Sequence, residues 1–192
     1  MPAPLARVRR HAALALVVAA ACDAGDGDAA DDDAWAGVPM TAYCEPAAQW
    51  EPAWTELEEQ VLTLVNQARA QGADCHTAGM FPATEPLRMD PALRCAARVH
   101  SADMAARDFF EHDNPSGESP FDRMDLAGYG DRSTAGENIA AGSPDATGTM
   151  AQWLGSDGHC SNIMNPSFRD IGVGYHPGGE HGHLWTQTFA AP

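Results

Sequence analysis

At 192 residues the chain fits one domain by the usual prior of ~100–200 residues, and a hydrophobic fraction of 44% is ordinary for a globular protein. It carries 27 acidic residues against 11 arginines and no lysine, a net charge of −16. Such a surface repels nucleic-acid phosphates and anionic lipid headgroups, so neither is expected as a partner.

Arg7, Arg9 and Arg10 precede an apolar run from Ala12 to Ala21. This is the layout of a secretory signal: a charged start, a short apolar stretch, small residues at the end. The run is too short to span a bilayer, which takes ~20 apolar residues. Cys22 follows three alanines and resembles the cysteine of a bacterial lipobox, with Ala19 where leucine is usual. We expect lipidation at Cys22; the other reading is plain cleavage near Ala21, and either exports the protein. The mature chain then has 8 arginines against 27 acids, a net charge of −19.

Residues 23–34 (DAGDGDAADDDA) are acidic and poor in apolar side chains, which predicts a disordered tether. Residues 35–53, with Trp35, Tyr43, Cys44, Trp50 and several prolines, read as an irregular segment lying on the domain and pinned by Cys44. The organisation is thus a signal peptide (1–21), an acidic tether with an irregular N-terminal segment (22–53) and a folded domain (54–192).

The first helix is expected from Trp54, with Thr55 and Glu58 as a capping box. Its apolar residues recur at Leu57, Val61, Leu64, Val65 and Ala68, and it ends near Gly72. Asp90-Pro91 opens a second helix, running to about Phe109, with Leu93, Ala97, His100 and Met104 on one face. A short third helix runs from Ser119-Pro120 to Gly128. A fourth starts near Ser143-Pro144 and carries Met150, Trp153 and Leu154. Residues 170–176 and 183–189 read as a hairpin across a Gly-rich turn, with further strand in 136–141. Helices early and strands late indicate an α+β fold.

With Cys22 set apart, Cys44, Cys75, Cys95 and Cys160 remain. Four cysteines in an exported chain indicate two disulfides, for which three connectivities exist. Of the histidines, His100 lies in register with apolar residues and reads as a core residue. His112 leaves a helix into a polar, turn-rich loop, where a solvated role is the simpler reading. Glu137, between a glycine and an apolar run, reads equally as a buried acid needing a partner or as one bonded to backbone amides. His159 sits beside Cys160. Two histidines and a carboxylate can hold Zn²⁺ with an open position, but the spacing of His112, Glu137 and His159 does not show convergence. HExxH, GxSxG, GxGxxG and P-loop motifs are absent from the sequence.

In order, LVNQARAQ (64–71), ALRCAARVHSADMAARDFFEH (92–112), SPFDRM (119–124), AGENIAAG (135–142), MAQWLGSDGHCSNIMNP (150–166), IGVGY (171–175) and LWTQTFA (184–190) resemble the CAP superfamily, also called the SCP or cysteine-rich secretory, antigen 5 and pathogenesis-related domain. The resemblance covers about residues 56–190 and is nearest to the bacterial secreted branch. It implies an α-β-α sandwich with a small, largely antiparallel sheet between helical layers. It also implies a cleft lined by two histidines and two acids, at His112, Glu137 and His159 here. The second acid is missing: its position, three residues after Trp153, is Ser156. The family's histidines can hold a divalent ion such as Zn²⁺, and its members include lipid binders and proteins that act through contacts. With the family in view, Cys75–Cys160 is the expected clamp on the His159 helix, and Cys44–Cys95 would tie down the N-terminal segment. The leading functional expectation is a monomeric, cell-surface binding module for a divalent metal, lipid, small molecule or protein ligand, touching a membrane only through an N-terminal lipid. An envelope structural or stress protein with a vestigial cleft comes second, and a metal-assisted, protease-like hydrolase third. No residue is assigned a catalytic role.

Overall fold

The computed structural model describes Met1 and residues 37–192. The remainder of the expected signal peptide, Cys22 and the acidic tether lie outside the described residues.

Helix α1 (Pro52–Gln71) starts two residues earlier than the sequence pattern suggested, with Pro52 at its first position. Gly72 ends it at φ 78, where an added Cβ would meet the Phe81 carbonyl oxygen at 2.7 Å. The predicted Thr55–Glu58 capping box is not formed: Glu51 occupies the N-cap position, without a side-chain bond. Glu58 is instead fully buried. Its Oε2 takes a 2.6 Å bond from Arg98 Nη2, and its Oε1 accepts from Trp50 Nε1 at 2.8 Å and from the Tyr175 amide at 3.2 Å. Thr55 Oγ1 accepts from the same guanidinium at 2.9 Å. A buried charge needs such a full set of partners, and these come from three separate parts of the chain.

A two-stranded antiparallel sheet follows, β1 (Ala73–Asp74) with β2 (Met80–Phe81), and then β3 (Arg88–Met89). Helix α2 (Pro91–Arg107) has the expected Asp90 N-cap, whose carboxylate accepts from the Ala92 and Leu93 amides. It stops two residues before Phe109 because Asp108 turns left-handed at φ 52. Helix α3 (Pro120–Leu126) does carry a capping box, Ser119 with Asp122. After β4 (Thr134–Ala141), helix α4 (Ala146–Leu154) is capped by Asp145 rather than starting at Ser143-Pro144. Helix α5 (Asp157–Met164) leads to the hairpin β5 (Asp170–Pro177) and β6 (His183–Ala191).

The main sheet has the order β3-β5-β6-β4, antiparallel except for the short β3–β5 pair. Alternation along its strands decides the layers. Gly172 and Gly174 face α2, where added Cβ atoms would lie 2.1 and 2.3 Å from the Leu93 and Ala97 backbone. Thr188 Oγ1 donates to the Leu93 carbonyl at 3.0 Å, and Ser101 Oγ to that of Gly174 at 3.0 Å. The intervening Ile171, Val173 and Tyr175, with Trp185 and Phe189, form the core with Val61 and Val65 of α1, Trp153 of α4 and Ile163 of α5. The result is the α-β-α sandwich: α2 and α3 on one face, α1, α4 and α5 on the other. Residues 38–50 join the α2 side through buried Val38, Ala47 and Trp50. The two disulfides are Cys44–Cys95 and Cys75–Cys160.

Candidate functional site: two histidines and a glutamate at the β4 edge

Strand β4 is an edge strand, and neighbouring residues on it serve opposite layers. Glu137 points to the α2 side and Asn138 to the α5 side. Trp153 Nε1 donates to the Ile139 carbonyl at 3.1 Å and Asn162 Nδ2 to that of Glu137 at 3.3 Å. These bonds occupy the outer edge of the strand, so it does not present a free ladder.

On the α2 side, the left-handed turn at Asp108 sends the chain back across the sheet. His100, fully buried on α2, donates from Nε2 to the Glu111 carbonyl at 3.0 Å and so fixes the residue before His112. His112 Nδ1–H donates to Glu137 Oε1 at 2.9 Å, and Arg123 Nη2 donates to Glu137 Oε2 at 2.8 Å. Arg123 is itself held through Nη1 by the Glu118 carbonyl at 2.9 Å. The Glu137 and Arg123 side chains are 2% and 1% exposed, whereas that of His112 is 50% exposed. The buried carboxylate therefore has a charge partner on one oxygen and an imidazole on the other. A carboxylate only accepts, so Nδ1 of His112 carries the proton and, in the neutral ring, Nε2 carries the lone pair.

On the α5 side, Asn138 Nδ2 donates to the His159 carbonyl at 3.1 Å and to Gln187 Oε1 at 3.1 Å, while Asn162 Nδ2 donates to Asn138 Oδ1 at 2.9 Å. Cys160, bonded to Cys75, fixes the next position. His159 and Ser156 share a pocket of about 290 Å³ with Phe110, Ile139, Gln152 and Trp153. Ser156, at the position of the missing acid, thus faces this pocket. Asp157 turns away and bonds the Thr77 hydroxyl.

The two histidines titrate in opposite directions. The hydrogen bond to Glu137 holds the proton affinity of His112 above its ordinary value against the effect of partial burial. Burial, helped by the charge of His112, lowers that of His159. Burial pushes the pKa of His100 down to about 4, even with the Glu137 carboxylate 3.9 Å away.

The residues that position the site are those the sequence did not single out. Arg123 and Asn138 stood inside quoted motifs without a role, and His100 was read only as core. Glu137 has both oxygens engaged, and among the described residues no group of three or more His, Cys, Asp and Glu is arranged to hold a metal ion. The donors left for a divalent ion are the His112 and His159 imidazoles, with Glu137 behind His112.

The sequence pattern of the Cysteine-rich secretory protein family, CAP, matches residues 62–189. The chain belongs to the CAP family. It is 36% identical over 162 residues to YkwD, an uncharacterized protein of Bacillus subtilis (strain 168), across 84% of this chain and 58% of that protein. It is 30% identical over 126 residues to the uncharacterized membrane protein YlbC of the same organism, across 66% of this chain and 33% of that one. An extracellular protein containing a SCP domain from Bacillus anthracis str. Ames has a similar structure, with a TM-score of 0.60 and 28% identity over 74% of this chain and 44% of that one. The chain thus spans under two thirds of the curated relatives it matches. The CAP family settles the fold and leaves the ligand open.

Proposed function

We propose that this CAP domain is an extracytoplasmic binding module whose β4-edge cleft receives a small ligand between His112 and His159. The observation that carries this reading is the state of Glu137. Both of its oxygens accept a hydrogen bond, one of them from an arginine, and the side chain is 2% exposed, so it is poorly presented to a water or to a metal ion as a direct ligand. The apolar walls beside His159 favour a partly apolar ligand. Two disulfides support an oxidising compartment, and no helix among the described residues is long and apolar enough to cross a membrane. If Cys22 carries a lipid, Cys22→Ser releases the protein from membranes; a variant that stays membrane-bound removes the anchor from this account.

A divalent ion in the cleft would be held by His112 and His159, with Glu137 orienting the His112 ring as carboxylates do behind metal-bound histidines. Two protein ligands make a weak site, because zinc sites with an open position usually have three. Calorimetric titration of the exported chain with Zn²⁺ near neutral pH tests this directly. The expected result is weak binding that is lost in both His112→Ala and His159→Ala. Equal binding by wild type and variants would place the ion elsewhere. Turnover of peptide or ester substrates that depended on both histidines would replace the binding reading by hydrolysis.

A further inference from the structure

Gly155 and Ser156 join α4 to α5, and the junction presents two side chains to one small pocket. Ser156 is the N-cap residue of α5, yet its hydroxyl makes no cap bond. His159 stands three positions on, on the same side of the first turn. Both line the pocket of about 290 Å³ that Phe110, Ile139 and Trp153 wall, at the small end of ligand sites.

These two residues are fixed through their backbone. The Ser156 amide donates to the Trp153 carbonyl at 3.2 Å, and the Ser156 carbonyl accepts from the Cys160 amide at 2.8 Å. The His159 carbonyl is held by Asn138, and Cys160 is bridged to Cys75. Among the described residues, neither the Ser156 hydroxyl nor the His159 ring has a hydrogen-bond partner, and neither belongs to the buried atoms in that condition. Their polar atoms therefore open onto the pocket rather than into the protein.

The charges around the pocket decide what enters it. No acidic side chain and no arginine lines it. Glu137 is matched to Arg123 and His112, Asp157 bonds the Thr77 hydroxyl, and Asp108 accepts from the Glu180 amide. The charge felt at His159 is that of the His112 ring, and its sign is positive. A ligand cation would meet that charge and find no counter-ion. A carboxylate would meet it favourably and would accept from two donors, the Ser156 hydroxyl and the His159 N–H. Hydrogen bonds to a charged acceptor are roughly twice as strong as neutral ones. The net charge of −16 opposes this only weakly, because exposed charges more than about 8–10 Å away are largely screened at physiological salt.

Resting on the binding-module reading above, we infer that the pocket takes a short carboxylic acid with an apolar body, its carboxylate between Ser156 Oγ and the His159 ring and its apolar part against Phe110 and Ile139. Ser156 is then the residue that sets the charge preference of the site.

Phenylacetate, phenylacetamide and phenethylamine are close in shape and differ in charge, and NMR titration of the exported chain with each tests the assignment. Phenylacetate should give saturable shifts at Phe110, Ser156 and His159. Phenylacetamide should bind about tenfold more weakly, and phenethylamine should not bind. Ser156→Ala should weaken phenylacetate binding about tenfold. Ser156→Glu should abolish it and admit phenethylamine, a reversal that a structural role for Ser156 would not produce. Phenylacetamide binding as tightly as phenylacetate, or phenethylamine binding to the wild type at these residues, would overturn the carboxylate and leave the binding module standing. Phenylacetate binding unmoved by both Ser156 variants would place the acid elsewhere and overturn the assignment too. If no probe shifts these residues the inference falls, and the binding-module reading falls with it only if the zinc titration is also blank.

Discussion

Glu137 shows how one side chain sets the character of its surroundings. Its 2.8 Å bond to Arg123 makes a buried acid tolerable, and its remaining oxygen raises the proton affinity of His112. His100, 3.9 Å from the same oxygen, is governed by burial instead. Its folded pKa of about 4 lies below the ordinary value of 6.5. Above pH 6.5 the ring is neutral in both folded and unfolded chains, and its contribution is intact. As pH falls from 6.5 towards 4, the unfolded chain takes up a proton that the folded one refuses, and stability is lost. The loss from this group approaches about 3 kcal/mol by pH 4. The groups that face it are Glu137, Arg123 and Asp103, together with the Glu111 carbonyl. Urea unfolding of wild type and His100→Gln at pH 7 and pH 4.5 measures the effect, since the amide can still donate to the Glu111 carbonyl. The variant should lose markedly less stability on acidification; equal losses would show that His100 titrates normally. His100 was legible as a core residue from its register with Leu93 and Met104. Its bond to residue 111 was not, because that depends on a left-handed turn at Asp108, a conformation that aspartate favours more than most residues but that nothing in the surrounding pattern demands.

At the scale of elements, the helices were legible where a local cap starts them and less so where a distant partner intervenes. Asp90-Pro91 and Ser119-Pro120 behave as written, because the cap and the proline act within one turn. Thr55 and Glu58 have the spacing of a capping box, yet Glu58 serves Arg98, 40 residues on. A pattern of period three cannot distinguish the two uses. The IGVGY strand has a similar lesson. Its alternation marks a strand, but only the structure shows that Gly172 and Gly174 are there to let α2 lie directly on the sheet. Gly172→Ala would place a Cβ 2.1 Å from the Leu93 backbone, and α2 must lift to make room. The expected cost is about 1–3 kcal/mol or more. Gly158→Ala is the matched control: it lies in α5, and nothing stands within 4 Å of the added carbon. That change should be neutral or stabilise by about 0.5–1 kcal/mol through helix propensity. Urea denaturation of the two variants should give opposite signs, and a tolerated Gly172→Ala would mean that α2 is not seated as described.

For the whole molecule, the two disulfides divide the labour that a small domain's core leaves undone. Cys44–Cys95 spans 51 positions and Cys75–Cys160 spans 85. Loop-closure entropy grows only with the logarithm of length, so the two should stabilise similarly, by about 4 kcal/mol each in the chain-entropy account. Their functional effects should differ, because they hold different things. Cys75–Cys160 fixes α5 and with it His159. Cys44–Cys95 fixes the segment that carries Tyr43 and Trp50, the latter bonded to Glu58. Cys75→Ser/Cys160→Ser should therefore disturb cleft resonances around His159 and leave residues 43–50 protected from proteolysis. Cys44→Ser/Cys95→Ser should do the reverse, exposing residues 43–50 to protease while the His159 signals stay in place. Denaturant unfolding supplies the stability comparison, and limited proteolysis with histidine NMR supplies the functional one. If both variants lost the same signals, the disulfides would be acting on one cooperative unit, and the division between cleft layer and N-terminal layer would fail. The count of cysteines was readable from the sequence, and their pairing came from family resemblance. Which layer each bridge holds could not be read from either, because it follows from the side of the sheet on which α2 and α5 are packed.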